Sequence, residues 1–229
     1  VLINFIERTQ PKKWERYKKY YGEAAPEKLY RRLEDCIAEH GLIYVLKNGI
    51  KDMGIDLKVC YFKPESELNE SLVELYNANI LGVTRQFAYS KLNNNTIDMV
   101  LTINGIPVVA LELKNQYKGQ NVDCAMKQFM DDRDPKEFCF RFNHRFLVYF
   151  AVDLYEAYMT TSLQGRKTRF MPFNQGSNGA GVTGGKGNPS NPNGYSTSYL
   201  WEEVLQRDSL LDLIHRFISY VKEKEEVEN

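Results

Sequence analysis

"NTIDMVLTINGIPVVALELKN", residues 95–115, is the stretch that decides the fold. Apolar residues run on both sides of Asn104-Gly105, a dipeptide typical of tight turns, so we expect two antiparallel strands joined there. The second strand starts with apolar residues and ends with Glu112 and Lys114 on alternate positions. Their side chains therefore share one face at the end of the strand.

The length of the hairpin loop decides where Asp98, on the first strand, lies relative to Glu112. A two-residue loop over 104–105 pairs position 98 with 111, which puts Asp98 on the face opposite Glu112. A three-residue loop over 104–106 pairs position 98 with 112, because a slip of one residue moves every side chain to the other face. If these residues form one site, we predict a three-residue loop with Gly105 left-handed, or a β-bulge.

The residue types in this hairpin indicate metal-dependent chemistry. Two carboxylates held together repel each other unless a cation lies between them, and carboxylates with a water-rich shell suit Mg²⁺. A nearby lysine stabilises the charge of a phosphate or helps to activate a water molecule. Asp followed by Glu-x-Lys on the next strand is typical of phosphodiester hydrolysis, although the same pattern also occurs as a surface charge group or an ion pair.

The rest of the chain predicts a mixed sheet with helices on its faces, an α/β or α+β domain. Helical periodicity predicts helices at 9–22, 26–41, 70–80, 121–132, 199–206 and 209–226. Apolar runs predict strands at 42–50, 58–64, 81–90 (an edge strand), 144–153 and 156–163, with a short one at 170–173. Residues 174–198 are rich in Gly, Asn, Ser and Pro, and we expect them to form a flexible loop.

The composition restricts the partners and the compartment. Lys plus Arg and Asp plus Glu both number 30, so a DNA-binding surface has to be a local patch. Four scattered cysteines without a Cys-x-x-Cys motif predict reduced thiols in a cytoplasmic protein, and no apolar run is long enough to span a membrane. The start at Val1 and the charged end "KEKEEVEN" predict a fragment of a longer polypeptide.

The hairpin and its surroundings resemble the PD-(D/E)xK nuclease core, and specifically the N-terminal nuclease domain of type I restriction enzyme R (motor) subunits. The resemblance covers nearly the whole chain and is carried also by "TQPKKWERY", "GLIYVLKNGIKDMGIDL", "TRQFAYS", "KQFMDDRDPKE", "YFAVDLYEAYMTT", "TRFMPFNQG" and "TSYLWEEVLQRDSLLDLIHRFI". It implies an α/β, restriction-endonuclease-like mixed β-sheet flanked by α-helices. It also implies a single nuclease domain over 1–229, with helices at 199–226 leading toward a helicase/translocase motor.

The resemblance implies a Mg²⁺-dependent endonuclease that cuts double-stranded DNA, with ATP used only by the motor of the full-length subunit. It implies two partners, a methyltransferase subunit and a sequence-specificity subunit. Asp98 and Glu112 match the metal-binding carboxylates, Lys114 matches the catalytic lysine, and the Leu113 backbone carbonyl is a further metal ligand. Gln128 matches the glutamine of the family's Gln-x-x-x-Tyr element, whereas Asp132 stands in place of the tyrosine.

Further candidates have a functional and a structural interpretation. Arg85 and Gln86 on the edge strand suit DNA phosphates, or they are edge charges that prevent aggregation. Lys12 and Lys13 suit the DNA backbone, or they form the solvated face of a helix. Gln128 lies to one side of its helix's apolar stripe, at the rim of the active site or in solvent.

Two other functions compete with the restriction nuclease. A repair or recombination nuclease has the same core, but the resemblance along the whole chain argues against it. A non-catalytic domain that docks a motor onto partner subunits would carry Asp98, Glu112 and Lys114 as an ion-pair cluster. Coordinates discriminate these possibilities, because catalysis requires the two carboxylates to share one face of the sheet.

Overall fold

The computed structural model describes residues 1–66, 68–90 and 93–219. The first part of the chain is mostly helical, with one small hairpin. Its elements are α1 (Leu2–Thr9), α2 (Pro11–Tyr21), α3 (Ala25–His40), α4 (Leu42–Asn48), β1 (Ile50–Asp52) and β2 (Ile55–Leu57). The predicted helices at 9–22 and 26–41 are confirmed as α2 and α3. Helix α1 had no counterpart in the sequence-based prediction.

The predicted strand at 42–50 is wrong, because Leu42–Asn48 is helix α4 and only its last residue lies in β1. Short apolar runs do not distinguish a strand from a buried helix. Here Gly41, at φ 85°, turns the chain between two helices, and a Cβ at this position would lie 2.1 Å from Asn143 Nδ2. Asn143 accepts the N–H groups of Leu42 and Ile43, which leads the chain into α4.

The predicted strand at 58–64 is also wrong, because side-chain amides take the place of a neighbouring strand. Gln10 donates to the carbonyl and accepts from the N–H of Lys58, both at 2.8 Å. Asn79 makes the same pair of bonds with Tyr61. The backbone groups of Lys58 and Tyr61 are therefore satisfied without a sheet.

A six-stranded sheet forms the centre of the domain, in the spatial order β3-β4-β5-β6-β7-β8. After helix α5 (Glu70–Asn77), its strands are β3 (Leu81–Ala88), β4 (Thr96–Ile103), β5 (Ile106–Leu113), β6 (Val148–Val152), β7 (Ala157–Thr160) and β8 (Met171–Pro172). Strand β3 lies at the edge as predicted, and all pairs are antiparallel except β5–β6. The α/β class, a restriction-endonuclease-like mixed sheet flanked by helices, is confirmed.

Helix α6 (Val122–Asp131) connects the parallel strands β5 and β6 and covers one face of the sheet. Its Phe129 packs with Val100 of β4 and Ala110 of β5. On the other face, Leu111 of β5 packs in the large core formed with helices α1 to α4. The alternation of side chains along β5 thus gives each face its own helical layer.

The hairpin of β4 and β5 contains a β-bulge, which is one of the two alternatives that the sequence predicted, and it lacks the other, a three-residue loop. Ile103 pairs with Ile106, so the loop has two residues, and Asn104 and Gly105 both have positive φ, 52° and 84°. The register then shifts, because Thr102 pairs with Pro107 whereas Leu101 pairs with Val109. Beyond this bulge Met99 pairs with Leu111, and the next position along β4 is that of Asp98, opposite Glu112.

The segment at 174–198 contains neither helix nor strand, but hydrogen bonds connect its first residues to its middle. Gly176 donates to Gly187, and Gln175 donates to Asn188. Beyond it, π-helical turns at Leu200–Val204 and Leu213–Phe217 flank helix α7 (Arg207–Asp212), so the predicted C-terminal helices are shorter and less regular. Positions 220–226 of the second predicted helix lie outside the described residues.

In the part of the chain that the structure describes, no helix has the length and apolar character needed to cross a membrane.

Candidate active site

Asp98 and Glu112 lie on the same face of the sheet, the face that α6 covers. Each is two residues beyond a core residue of that face, Val100 on β4 and Ala110 on β5. The side chain of Asp98 is 25% exposed, whereas Glu112 is fully buried. The bulge therefore brings together the two acids that the sequence placed in one site, and one of them faces solvent.

Both oxygens of the Asp98 carboxylate accept hydrogen bonds. Oδ2 accepts from the backbone N–H of Leu113 at 2.9 Å, and Oδ1 accepts from Nε2 of Gln86 at 3.2 Å. The Thr96 hydroxyl donates to Oε1 of Gln86 at 2.7 Å, which fixes the orientation of the amide. Gln86 has a φ of 50°, a left-handed conformation that is rare within a strand.

Lys114 and Gln128 are in direct contact. The Lys114 ammonium donates to Oε1 of Gln128 at 2.5 Å and lies 3.9 Å from Oδ2 of Asp98. Gln128 comes from helix α6, so the helix helps to place the lysine beside the carboxylates. The sequence left open whether Gln128 lies at the rim of the site or in solvent, and the structure shows its side chain in contact with Lys114. A catalytic role of Gln128 stays a prediction.

Glu112 forms a buried ion pair with Arg133, two residues after α6. Nη2 of Arg133 donates to Oε1 of Glu112 at 2.6 Å and to the carbonyl of Thr96 at 2.8 Å. Nη1 donates to the Tyr89 hydroxyl at 3.2 Å, and the guanidinium lies 5.1 Å from the centre of the Tyr89 ring. The positive charge of Arg133 thus lies against the buried carboxylate of Glu112 and compensates its negative charge.

Sequence reasoning missed Arg133. It stands in "DDRD", which looks like an exposed charge cluster, and the neighbouring Asp132 is indeed exposed. A signal was present, however, because position 133 follows Phe129 by four residues and so continues the apolar stripe of α6. A buried cation that continues the spacing of a helix's apolar stripe, even just beyond the helix, predicts a buried acidic partner.

Burial raises the pKa of Glu112 to about 7. The charge and the hydrogen bond of Arg133 oppose this rise, and the nearby Asp98 carboxylate adds to it. Removal from water disfavours the charged form of an acid, so desolvation outweighs the pairing with Arg133. A cation close to Glu112 and Asp98 would lower their mutual repulsion.

The donor set fits a hard divalent cation that keeps water ligands. Oε2 of Glu112 is buried and accepts no hydrogen bond within the part of the chain that the structure describes. Within these residues no group of three or more His, Cys, Asp or Glu side chains could hold a metal ion, so protein carboxylates supply at most a pair of ligands. Mg²⁺ typically takes one or two carboxylates and completes its shell with waters and phosphate oxygens.

The other predicted site residues are dispersed. Leu113 lies between Glu112 and Lys114 at the end of β5, and its carbonyl as a metal ligand stays a prediction. Arg85 is exposed on the edge strand beside Gln86. Lys12 is exposed on α2, and Lys13 donates to the carbonyl of Asp56.

Helix α2 itself packs through Trp14 and Tyr17 into the core on the face opposite α6. The structure therefore does not bring Lys12 and Lys13 together with the acidic pair. Their contact with DNA stays a prediction. It requires a DNA molecule that extends around the edge of the sheet, from the acidic pair to helix α2.

The chain is similar to a known protein family. A family model described as type I restriction enzyme R protein N terminus matches residues 7–168. The matched region contains the hairpin, helix α6 and every residue of the candidate site. No curated protein matches the chain.

Proposed function

Because the chain belongs to the family of type I restriction enzyme R protein N-termini, we propose that it is the Mg²⁺-dependent endonuclease domain of such a subunit. The observation that carries the proposal is the joint position of Asp98, Glu112 and Lys114 at one end of the central hairpin, on one face of the sheet. With the family shown, the repair or recombination nuclease has no support of its own. The substrate is double-stranded DNA, and the reaction is hydrolysis of its phosphodiester bonds.

Asp98 and Glu112 would hold the cation, and the Leu113 carbonyl is a further proposed ligand. When bound, Mg²⁺ offsets the charge of the scissile phosphate and makes a water molecule more acidic. In the reaction a water molecule gives up a proton as its oxygen forms a bond to phosphorus. The bond from phosphorus to the leaving oxygen breaks, and that oxygen takes up a proton, so the step consumes no net proton. The protein residues around the carboxylates orient these groups.

Lys114 supplies a positive charge where the phosphate gains negative charge in the transition state. Its ammonium is held by Gln128 at 2.5 Å and lies close to Asp98, so it is already oriented before DNA binds. A preoriented charge costs little reorganisation at the moment of reaction. Gln128 thereby acts as the glutamine of the family element, although Asp132 replaces the tyrosine.

In the full-length protein, we propose, cleavage is coupled to ATP-driven translocation by a motor. The partners are then the methyltransferase and specificity subunits, and the specificity subunit reads the target sequence. The 229 residues would bind DNA weakly and in a salt-sensitive manner, through Arg85, Gln86, Lys12 and Lys13, because their net charge is zero.

Plasmid cleavage by the intact restriction complex, with ATP and Mg²⁺, tests this function. Lys114→Ala and Asp98→Asn should each lower cleavage at least about 100-fold, the scale of one electrostatic contact in a transition state. Lys118→Ala is the matched control, because Lys118 is exposed in the 3₁₀ turn just after β5. It should cut like the wild type.

ATP hydrolysis and complex assembly should be unchanged in both variants, since the motor and the contacts between subunits stay intact. Wild-type cleavage by Lys114→Ala and Asp98→Asn would refute the catalytic assignment. If the same variants instead failed to assemble, the result would favour the docking function, in which these charges form an ion-pair cluster.

A further inference from the structure

Arg133 is one of the most buried charged groups of the domain, with 3% of its surface exposed. Its guanidinium bonds Glu112, the Thr96 carbonyl and the Tyr89 hydroxyl, and it stacks on the Tyr89 ring. The planar fork of an arginine matches several acceptors at once, which an ammonium does not. Arg133 therefore connects the end of α6 to strand β5 and to the segment after β3.

The two oxygens of Glu112 have different surroundings. Oε1 accepts the Arg133 bond at 2.6 Å, whereas the buried Oε2 accepts none within the described residues. From this geometry we propose that Arg133 is a positioning residue that reserves Oε1 and leaves only Oε2 for a divalent cation. This inference rests on the proposed function, since it concerns the same metal site.

A single available oxygen has a consequence for the choice of cation. Ca²⁺ takes six to eight oxygen ligands and often uses both oxygens of one carboxylate, whereas Mg²⁺ requires near-octahedral geometry and retains waters. A carboxylate restricted to one oxygen therefore favours Mg²⁺ and Mn²⁺ over Ca²⁺. Arg133 thus sets the cation preference of the site without touching the metal.

Mn²⁺ binding to the 229-residue chain, followed by the electron paramagnetic resonance signal of the free ion, tests the inference. Arg133→Lys should weaken Mn²⁺ binding about 10- to 100-fold, as is typical when a partner of a metal ligand is changed. Tyr89→Phe removes only the hydroxyl bond and should weaken it less. Arg145→Lys is the matched control, because Arg145 pairs with Glu34 at 2.7 Å outside the candidate site.

Competition on the wild-type chain gives a second measurement that does not depend on a variant folding. Mg²⁺ should displace Mn²⁺ at a lower concentration than Ca²⁺ does. Arg133→Lys should reduce this difference, because Oε1 becomes available to the larger ion. Circular dichroism checks that the variant is folded.

The outcomes separate this inference from the proposed function. If the wild type binds no Mn²⁺, or if Asp98→Asn binds it as well as the wild type, the proposed metal site itself is wrong. If Asp98→Asn loses binding but Arg133→Lys keeps wild-type affinity, only the inference is overturned. Equal displacement by Mg²⁺ and Ca²⁺ in the wild type also overturns it.

Discussion

The carboxylate of Asp98 accepts a hydrogen bond from the backbone N–H of Leu113, at 2.9 Å across the two central strands. The bond joins one acid of the site to the residue that lies between Glu112 and Lys114. It exists in the register that the bulge creates, because the two-residue loop alone would place position 98 opposite 111. The geometry of the site thus depends on the turn at the other end of the hairpin.

Asn104 is the turn residue on which this register depends, and its replacement should destabilise the fold. It is fully buried at φ 52°, accepts from the N–H of Ile80, and donates to the Val59 carbonyl and to Asn79. Asn104→Ala removes these bonds and disfavours the left-handed backbone, so we expect a loss of about 2–4 kcal/mol in the free energy of unfolding, measured in urea.

Asn104→Gly separates the two contributions, because glycine keeps the backbone conformation and loses only the side-chain bonds. It should be less destabilised than Asn104→Ala. The control Asn178→Ala, at an exposed position of the Gly-rich segment, should stay within about 0.5 kcal/mol of the wild type. Equal stability of Asn104→Ala and the wild type would contradict the role of the turn.

Local patterns in the sequence predicted the hairpin, the edge strand and helix α6. Asn104-Gly105 indicates a turn by itself, and the alternation of Glu112 and Lys114 fixes their common face. The requirement that Asp98 reach Glu112 predicted either a three-residue loop or a β-bulge, and the structure has the bulge. These features depend on residues that are close in sequence, so the sequence alone was enough to predict them.

Features that depend on distant partners were not predicted. Residues 42–48 are helical because Asn143, about a hundred residues away, caps their first N–H groups. Lys58 and Tyr61 belong to no strand, because the side chains of Gln10 and Asn79 satisfy their backbone groups. The spacing of Arg133 from Phe129 indicated that it is buried, but its partner could not be predicted, since Glu112 lies on another element.

Gln86 orients Asp98, and its replacement should therefore lower the rate of cleavage more than the affinity for DNA. Its amide bonds Oδ1 of Asp98 at 3.2 Å and is itself held by Thr96. For Gln86→Ala we expect about 10- to 100-fold slower cutting, as is typical when a partner of a metal ligand is changed, because Asp98 is a proposed metal ligand. Thr96→Val, which loses the hydroxyl that orients the amide, should have a weaker effect of the same kind.

Cleavage and DNA binding by the intact complex distinguish the two roles of Gln86. The control Thr84→Ala changes an exposed residue of the same strand and should behave like the wild type. If Gln86→Ala weakens binding while the cleavage rate at saturating DNA is unchanged, Gln86 acts through contact with the DNA, and its bond to Asp98 does not contribute to catalysis.

The salt dependence of DNA binding tests Arg85, Lys12 and Lys13. Each phosphate contact that is lost should reduce the slope of log K against log salt by about 1, with little dependence on sequence. We expect this for Arg85→Ala, and a larger effect for Lys12→Ala than for Lys13→Ala, because the Lys13 ammonium already bonds Asp56. An unchanged slope for all three variants would remove these residues from the DNA-binding surface.

The raised pKa of Glu112 should make the metal-free protein less stable as pH rises. An acid whose pKa is higher in the folded state than the ordinary 4.5 binds more protons when folded, so its contribution is present below about 4.5 and is lost as pH rises through about 7. Between pH 5 and 8 the wild type should lose up to about 3 kcal/mol relative to Glu112→Gln, since one pKa unit corresponds to about 1.4 kcal/mol. Urea unfolding at both pH values measures this difference.

Saturating Mg²⁺ should reduce this loss of stability, because a cation at the site stabilises the ionised carboxylate of Glu112. Parallel curves for the wild type and Glu112→Gln would show that Arg133 keeps Glu112 ionised throughout this range.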